Sequence, residues 1–328
     1  MTAERSLAET FHRLIATTGP ISLRQYMAES NARYYAQADP FGSGGDFITA
    51  PEISQMFGEM IGAALADSWM RAGSPADAIY AELGPGRGTL ASDALRVLRA
   101  AGFDGEVHLV ETSPVLREAQ EKALPGAHWH ESIEDLPAKP LLLVANEFLD
   151  ALPVRQFVDS VERRVLFAAG GLAFDRDGEI VETSPVRDEA VSTIATCLTA
   201  MGGVAFFIDY GHERSHPGDT LQAVRGHRFA PVLTSPGEQD LTCHVDFEAL
   251  GRAAQDAGAT VTRLVSQGEW LKRLGIETRA RSLEQSNPDK ADSVHVALNR
   301  LIGTEEMGKL FKVIAIHSPA WPVPLGFQ

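Results

Sequence analysis

This 328-residue chain predicts an α/β fold, a parallel sheet with helices on both faces, from three observations. Apolar runs alternate with helical patterns from Asp77 to Ala145. The run Asp77 to Ala81 leads through the glycine-rich turn Glu82-Leu83-Gly84-Pro85-Gly86-Arg87-Gly88 into a helix. Pro140-Leu141-Leu142-Leu143-Val144-Ala145 is apolar throughout, as suits a strand buried on both faces. Parallel βαβ units account for this succession.

Residues 1–75 precede the alternation and read as an N-terminal helical region. Leu7, Phe11, Leu14 and Ile15 share one helical face that stops at Gly19-Pro20. Ser22 and Gln25 form a capping box for a second helix whose apolar side holds Leu23, Tyr26 and Met27. A glycine-rich loop from Phe41 to Phe47 then runs into a long helix, with Thr49 as cap and Glu52 at the third position. Ile53, Met56, Phe57, Met60, Ile61, Ala64, Leu65 and Trp69 keep one stripe up to Gly73. The loop suits either a plain linker or a lid, with Asp46, Phe47, Thr49, Pro51 and Glu52 as substrate or lid residues.

Residues 76–328 carry the sheet. Leu90, Ala94, Leu95 and Leu98 give the helix after the glycine turn its core face, which ends before Gly102. Glu106 to Glu111 alternates as a second strand, and Ser113-Pro114 caps the helix holding Val115, Leu116 and Ala119. A third strand at Ala127 to Trp129 leads to Ser132 and Ile133, and the fourth is Pro140 to Ala145. An insertion at 154–184 shows paired strands, Arg164 to Ala168 and Gly171 to Phe174, around Gly170-Gly171, with a turn at Asp177-Gly178. A helix from Pro185 to Met201 and a fifth strand, Gly203 to Ile208, follow, ending at Asp209-Tyr210-Gly211. A second insertion spans 212–245, with Leu221 to Pro236 unassigned. Asp246 to Gly258 reads as a helix, Thr260 to Val265 as a strand and Leu310 to Ile316 as an apolar terminal strand after two further helical segments.

The glycine turn reads as a cofactor turn, because glycines let the backbone approach a ligand where a Cβ would block it. A dinucleotide turn would read G-x-G-x-x-G, whereas this one is E-x-G-x-G-x-G. A carboxylate two residues before the first glycine suits a cofactor with a charged amino-acid end beside an adenosine, namely S-adenosylmethionine. A nicotinamide oxidoreductase is disfavoured by the same spacing. Glu111 ends the second strand 23 residues after Gly88, near the roughly 20 expected of a carboxylate that accepts ribose hydroxyls. The expected cofactor set is Glu82, Gly84, Pro85, Gly86, Gly88, Glu111, Ser132, Ile133 and Asn146.

Hydrophobic residues make up 44% of the chain, enough for a sizeable core, and no low-complexity tract or fixed repeat is present. The formal charge of −15 argues against a sequence-independent nucleic-acid partner, which needs a basic surface. No apolar run reaches the about 18 residues of a membrane span, and the first residues lack the pattern of a secretory signal. Acidic Glu4 and Glu9 depart from a mitochondrial presequence, so a bacterial-type cytoplasmic protein without stable membrane insertion is expected; a homo-oligomer stays open. Cys197 and Cys243 lack C-x-x-C spacing and read as ordinary thiols. Neither His212 with His216 nor His128 with His130 makes a convincing metal pattern, so no metal is expected. No G-x-S-x-G elbow or cysteine-nucleophile signature points to covalent hydrolysis.

The acceptor site belongs at the ends of strands four and five, where open α/β sheets bind ligands. Asn146-Glu147-Phe148-Leu149-Asp150 and Asp209-Tyr210-Gly211-His212 concentrate polar groups there. Carboxylates suit a guanidinium acceptor, which needs groups that orient it and favour proton loss as the new bond forms. Glu147, Asp150 and Asp209 are therefore the catalytic candidates, though any one of them could instead be a cap or loop charge.

These motifs, with Gly45 to Ser54, Phe207 to Gly211 and Asp240-Leu241-Thr242-Cys243-His244-Val245-Asp246-Phe247, span nearly the whole chain. Together they resemble the MidA-like S-adenosylmethionine-dependent methyltransferases, whose mitochondrial members methylate an arginine of a respiratory complex I subunit during assembly. The resemblance implies a Rossmann-like, seven-stranded methyltransferase sheet with an added helical region, and a protein arginine as acceptor. A complex I subunit is then a candidate partner. Tyr210 and His244 are expected to contact substrate. An assembly chaperone that uses the cofactor structurally is the alternative.

Overall fold

A computed structural model describes residues 6–37 and 48–328. Asp46, Phe47 and the rest of 38–47 lie outside the described residues, as does Glu4. Seven strands form the central sheet: β1 (Ile79–Leu83), β2 (Val107–Val110), β3 (His128–His130), β4 (Leu141–Asn146), β5 (Gly203–His212), β6 (Thr260–Val261) and β7 (Phe311–His317). Their order is β6-β7-β5-β4-β1-β2-β3, parallel except for β7. Short bridges at Val245–Asp246 and Val265–Ser266 extend the sheet.

The strand order sets the site. The chain runs outward from β1 through β2 to β3, then returns to place β4 on the other side of β1. Connections leave β1 and β4 in opposite directions, so a crevice opens at their carboxyl ends. Register aligns Leu83 with Ala145 and Ile208 with Asn146, which brings the glycine turn, Glu147 and Asp209 to one end of the sheet.

Strand side chains alternate between two cores. Tyr80, Leu142, Val144, Phe206 and Ile208 pack on one face with the helices Gln55–Arg71 and Thr89–Ala100 and with Trp270, Leu271 and Ile276. Ile79, Ala81, Leu143, Ala205 and Phe207 pack on the other with Val191, Ile194 and Leu198 of Pro185–Met201 and with Phe247 and Leu250. Burying such an aliphatic side chain stabilises by about 1.5–3 kcal/mol, so β4 is apolar from Leu141 to Ala145 because both faces gain. A third core joins Leu7, Phe11, Leu23, Tyr26 and Met27 to Val154 and Val165 of the first insertion and Ala223 and Leu241 of the second.

Several elements differ from the sequence reading. The helix expected from Thr49 is a single turn, Ala50–Ile53, followed by Gln55–Arg71, because Ser54 adopts an extended conformation and its Oγ accepts from the Met56 amide. Thr49 makes no side-chain cap. Residues 55–71 belong to the sheet's own core. The segment expected as one strand at Thr260 to Val265 is two short bridges against β7. In the unassigned stretch, Gln222–Arg225 pairs with Arg228–Phe229 and with Asp240–Thr242. The expected hairpin forms, with Arg164–Ala168 paired to Gly171–Phe174.

Candidate active site

A cavity of about 650 Å³ opens at the carboxyl ends of β1, β2 and β4. Its wall begins with the glycine turn. Gly84 has φ +58°, and a Cβ there would sit 3.0 Å from Phe148 Cδ2, so only glycine fits without moving the next loop. Gly84, Pro85 and Gly86 line the cavity; Gly88 does not. Gly88 instead takes φ +81° as the N-cap of Thr89–Ala100, packed against Leu124, so its role is to start the helix.

Glu82 precedes the turn and is almost fully buried. Tyr80 Oη donates to its Oε2 at 2.6 Å, and burial raises its carboxyl to about 8 against that hydrogen bond. No described cation pairs with it. Glu111 follows β2, and burial raises its carboxyl too, although the Ser113 amide donates to Oε1 at 2.8 Å. Gln120 was missed from the sequence. Fully buried in mid-helix, its Nε2 donates to the Gly86 carbonyl at 2.7 Å and to Glu111 Oε2 at 3.3 Å, and Trp129 Nε1 donates to its Oε1 at 2.8 Å. One amide thus ties the glycine turn to the carboxylate at the end of β2. The place of Gln120 four residues after Leu116, on the apolar face of the helix, was the available signal. Ser132 and Ile133 line the cavity beside them.

Asn146 and Glu147 end β4. Asn146 Nδ2 donates to Glu147 Oε1 at 3.3 Å, while its buried Oδ1 has no protein partner. Glu147 sits at φ +51°, a conformation uncommon outside glycine, so the loop's backbone and not rotamer choice alone sets its carboxyl. The Ala50 amide donates to Glu147 Oε1 at 3.4 Å. Burial, then the charge of Asp150, raises Glu147 to about 8. Asp150 also lines the cavity and is raised by burial, against a hydrogen bond from Tyr210 and the charge of Arg187.

Asp209, expected as a catalytic contact, is not among the described residues lining the cavity. Its Oδ2 accepts from the Leu149 and Asp150 amides at 3.0 and 3.1 Å, and its Oδ1 from the Tyr210 amide at 3.0 Å. It fixes the loop that carries Glu147 and Asp150. Burial, then the charge of Asp150, holds its carboxyl well above the usual range. Tyr210 lines the cavity, and His244 stands behind it, edge-on with ring centroids 5.6 Å apart, instead of on the wall. Arg187 is a second residue the sequence reading missed: buried, it donates to the carbonyls of Asp150, Cys243 and His244 at 2.7–3.0 Å and so joins the loop to the second insertion.

Thr49, Pro51 and Glu52 also line the cavity. Glu52 Oε1 accepts from Thr89 Oγ1 at 2.6 Å, which binds this segment to the first turn of the helix behind the glycines. His108, His128 and His130 stack at the β2–β3 edge, but no metal-holding cluster occurs among the described residues. Cys197 and Cys243 are free thiols. No helix among the described residues is long and apolar enough to cross a membrane.

The donor set fits S-adenosylmethionine by three features of the protein itself: the Cβ-free cradle at Gly84, the orphaned Oδ1 of Asn146, and buried Glu82 lacking a cationic partner among the described residues.

The family model for S-adenosyl-L-methionine-dependent methyltransferases matches residues 60–169 and 163–265. The mitochondrial protein arginine methyltransferase NDUFAF7 of Danio rerio is 34% identical to the chain, over 96% of the chain and 88% of the relative. The human protein of that name is 32% identical over 92% of the chain and 81% of its own length. A Burkholderia thailandensis crystal structure bound to S-adenosyl-homocysteine superposes with a TM-score of 0.85 at 29% identity, covering 98% of this chain and 93% of that one. The expected cytoplasmic placement is corrected by the curated relatives, whose names place them in mitochondria.

Proposed function

The chain belongs to the MidA-like family of S-adenosyl-L-methionine-dependent methyltransferases, and from that premise we propose that its acceptor is an arginine side chain of a protein. One observation carries the reading. Two cavity-facing acids, Glu147 and Asp150, stand three positions apart on one loop with their carboxyls raised by burial, and an obligatory cation with several donors relieves both. The relatives named protein arginine methyltransferase support it.

Glu82, Gly84, Pro85, Gly86, Glu111, Ser132, Ile133 and Asn146 hold the cofactor, with Gly88 shaping the turn. When bound, the cofactor supplies a methyl group on a sulfonium. Glu147 and Asp150 would accept hydrogen bonds from the guanidinium and orient one nitrogen, and one of the two would take up the proton that nitrogen loses as its new bond to the methyl carbon replaces that carbon's bond to sulfur. Asp209 keeps those acids in place. Thr49, Pro51 and Glu52 close the wall and limit solvent. A respiratory complex I subunit is the first acceptor to examine, following the motif resemblance.

Quantitative mass spectrometry of proteins from cells with and without this chain tests the reading. An arginine peptide that loses methylation in its absence, and regains it with purified protein and S-adenosylmethionine, is the expected result. Methyl transfer confined to lysine, carboxylate or small molecules defeats it.

A further inference from the structure

The wall facing the catalytic loop is built by segments far away in the sequence. In the N-terminal helix Leu23–Gln37, Asn31 and Tyr35 are one turn apart on one face. Asn31 Nδ2 donates to the Ala151 and Leu241 carbonyls at 2.9 and 2.8 Å, and its Oδ1 accepts from the Leu241 amide at 3.2 Å. That amide therefore clasps the acceptor loop to the second insertion. Tyr35 Oη donates to Asp240 Oδ1 at 2.9 Å, and Ser113 Oγ holds the Tyr35 carbonyl at 2.6 Å. Asp240 is 6% exposed, and it lines the same cavity as Glu147, Asp150 and Tyr210. Its charge is felt at Glu147 and at Tyr35, which places these groups in one field.

We propose that Asp240, fixed by Tyr35, is a specificity-determining residue of the acceptor site, adding a third carboxylate that favours a guanidinium over an ammonium. The inference rests on the arginine reading. Glu147 and Asp150 spend part of their acceptor capacity on the Ala50 amide, the Asn146 side chain and the Ala151 amide. A guanidinium presents a planar fork with more donors than a lysine ammonium, so an additional carboxylate rewards the former more. Tyr35 is a positioning residue: it holds Asp240 in one orientation and so lowers the ordering cost of binding.

The test titrates Nα-acetyl-arginine amide and Nα-acetyl-lysine amide by calorimetry into the full chain saturated with S-adenosylhomocysteine. In Asp240→Asn, affinity for the arginine probe falls about tenfold or more while the lysine probe changes little, so selectivity shrinks. Affinity for S-adenosylhomocysteine stays within about twofold. Tyr35→Phe gives a smaller loss in the same direction, and Asp240→Glu restores part of the selectivity. Unchanged arginine-to-lysine selectivity in Asp240→Asn overturns the inference, as does an equal loss of S-adenosylhomocysteine affinity, which marks a structural role. If the unsubstituted chain fails to prefer the arginine probe, the arginine reading itself fails and the inference with it.

Discussion

Two glycines of one turn separate cofactor contact from helix initiation. Gly84→Ala and Gly88→Ala both force a Cβ into left-handed backbone, at φ +58° and +81°, at a cost of roughly 1–2 kcal/mol each. The surroundings then differ. At Gly84 the new Cβ lies 3.0 Å from Phe148 Cδ2, a ring on the cavity wall next to Glu147, and displacing it adds about 0.5–1.5 kcal/mol. At Gly88 the nearest atom, 3.1 Å away, is the end of the flexible Leu124 side chain, outside the cavity. Urea unfolding is therefore expected to show losses of about 1–3 kcal/mol for both variants. Calorimetric titration with S-adenosylhomocysteine distinguishes them: Gly84→Ala weakens binding about tenfold or more, whereas Gly88→Ala stays within about threefold. Equal losses of affinity in the two variants, or none in Gly84→Ala, refute this division of the turn.

Glu147 must be ionised to accept a cation, and with its carboxyl raised to about 8, kcat/KM for arginine methylation rises with pH through about 8 and then levels; Glu147→Gln gives a low, flat profile with S-adenosylhomocysteine binding retained, and a parental profile in that variant removes Glu147 from the chemistry. Glu82 bears on stability. Its carboxyl is raised from 4.5 to about 8 in the fold, so the native state keeps a proton that the unfolded chain has lost, and stability of the cofactor-free protein falls as pH climbs from about 4.5 to about 8. Urea midpoints at pH 6 and 8.5 are expected to converge in Glu82→Gln relative to the parent, and an unchanged gap sinks the assignment. Asp209→Asn loses at least one of three amide hydrogen bonds and sets an NH₂ against a backbone N–H, costing about 1–3 kcal/mol and most of the methyl transfer. A variant as stable as the parent yet inactive would return Asp209 to the chemistry.

The cavity wall around the glycine turn was legible because its parts are local. Glu82, Gly84 and Gly86 are nearly consecutive, and one βαβ unit fixes where Glu111 arrives. The same periodicity located Pro185–Met201 at its observed limits. The acceptor half was less legible because its walls meet only in three dimensions. Asp240 was visible only inside a motif, and nothing local showed that Tyr35, over two hundred residues earlier, would hold it. Asp209 misled for a physical reason: an acid at a strand end looks the same whether it faces ligand or accepts backbone amides. Arg187 carries no local signal in the sequence, and only tertiary packing turns its guanidinium onto three carbonyls of distant loops. Thr49 carried a helix-cap signature, yet the extended Ser54 interrupted the helix and became the cap.

The third hydrophobic core bears on how the enzyme can diversify. The cradle around Gly84 hangs from the sheet and its two flanking cores, whereas Asn31, Tyr35 and Asp240 hang from the N-terminal helices and the insertions. Amide exchange is expected to show this outer layer opening before the sheet beneath it. Drift in that layer reshapes the cavity wall around Asp240 while the glycine turn stays anchored in the sheet.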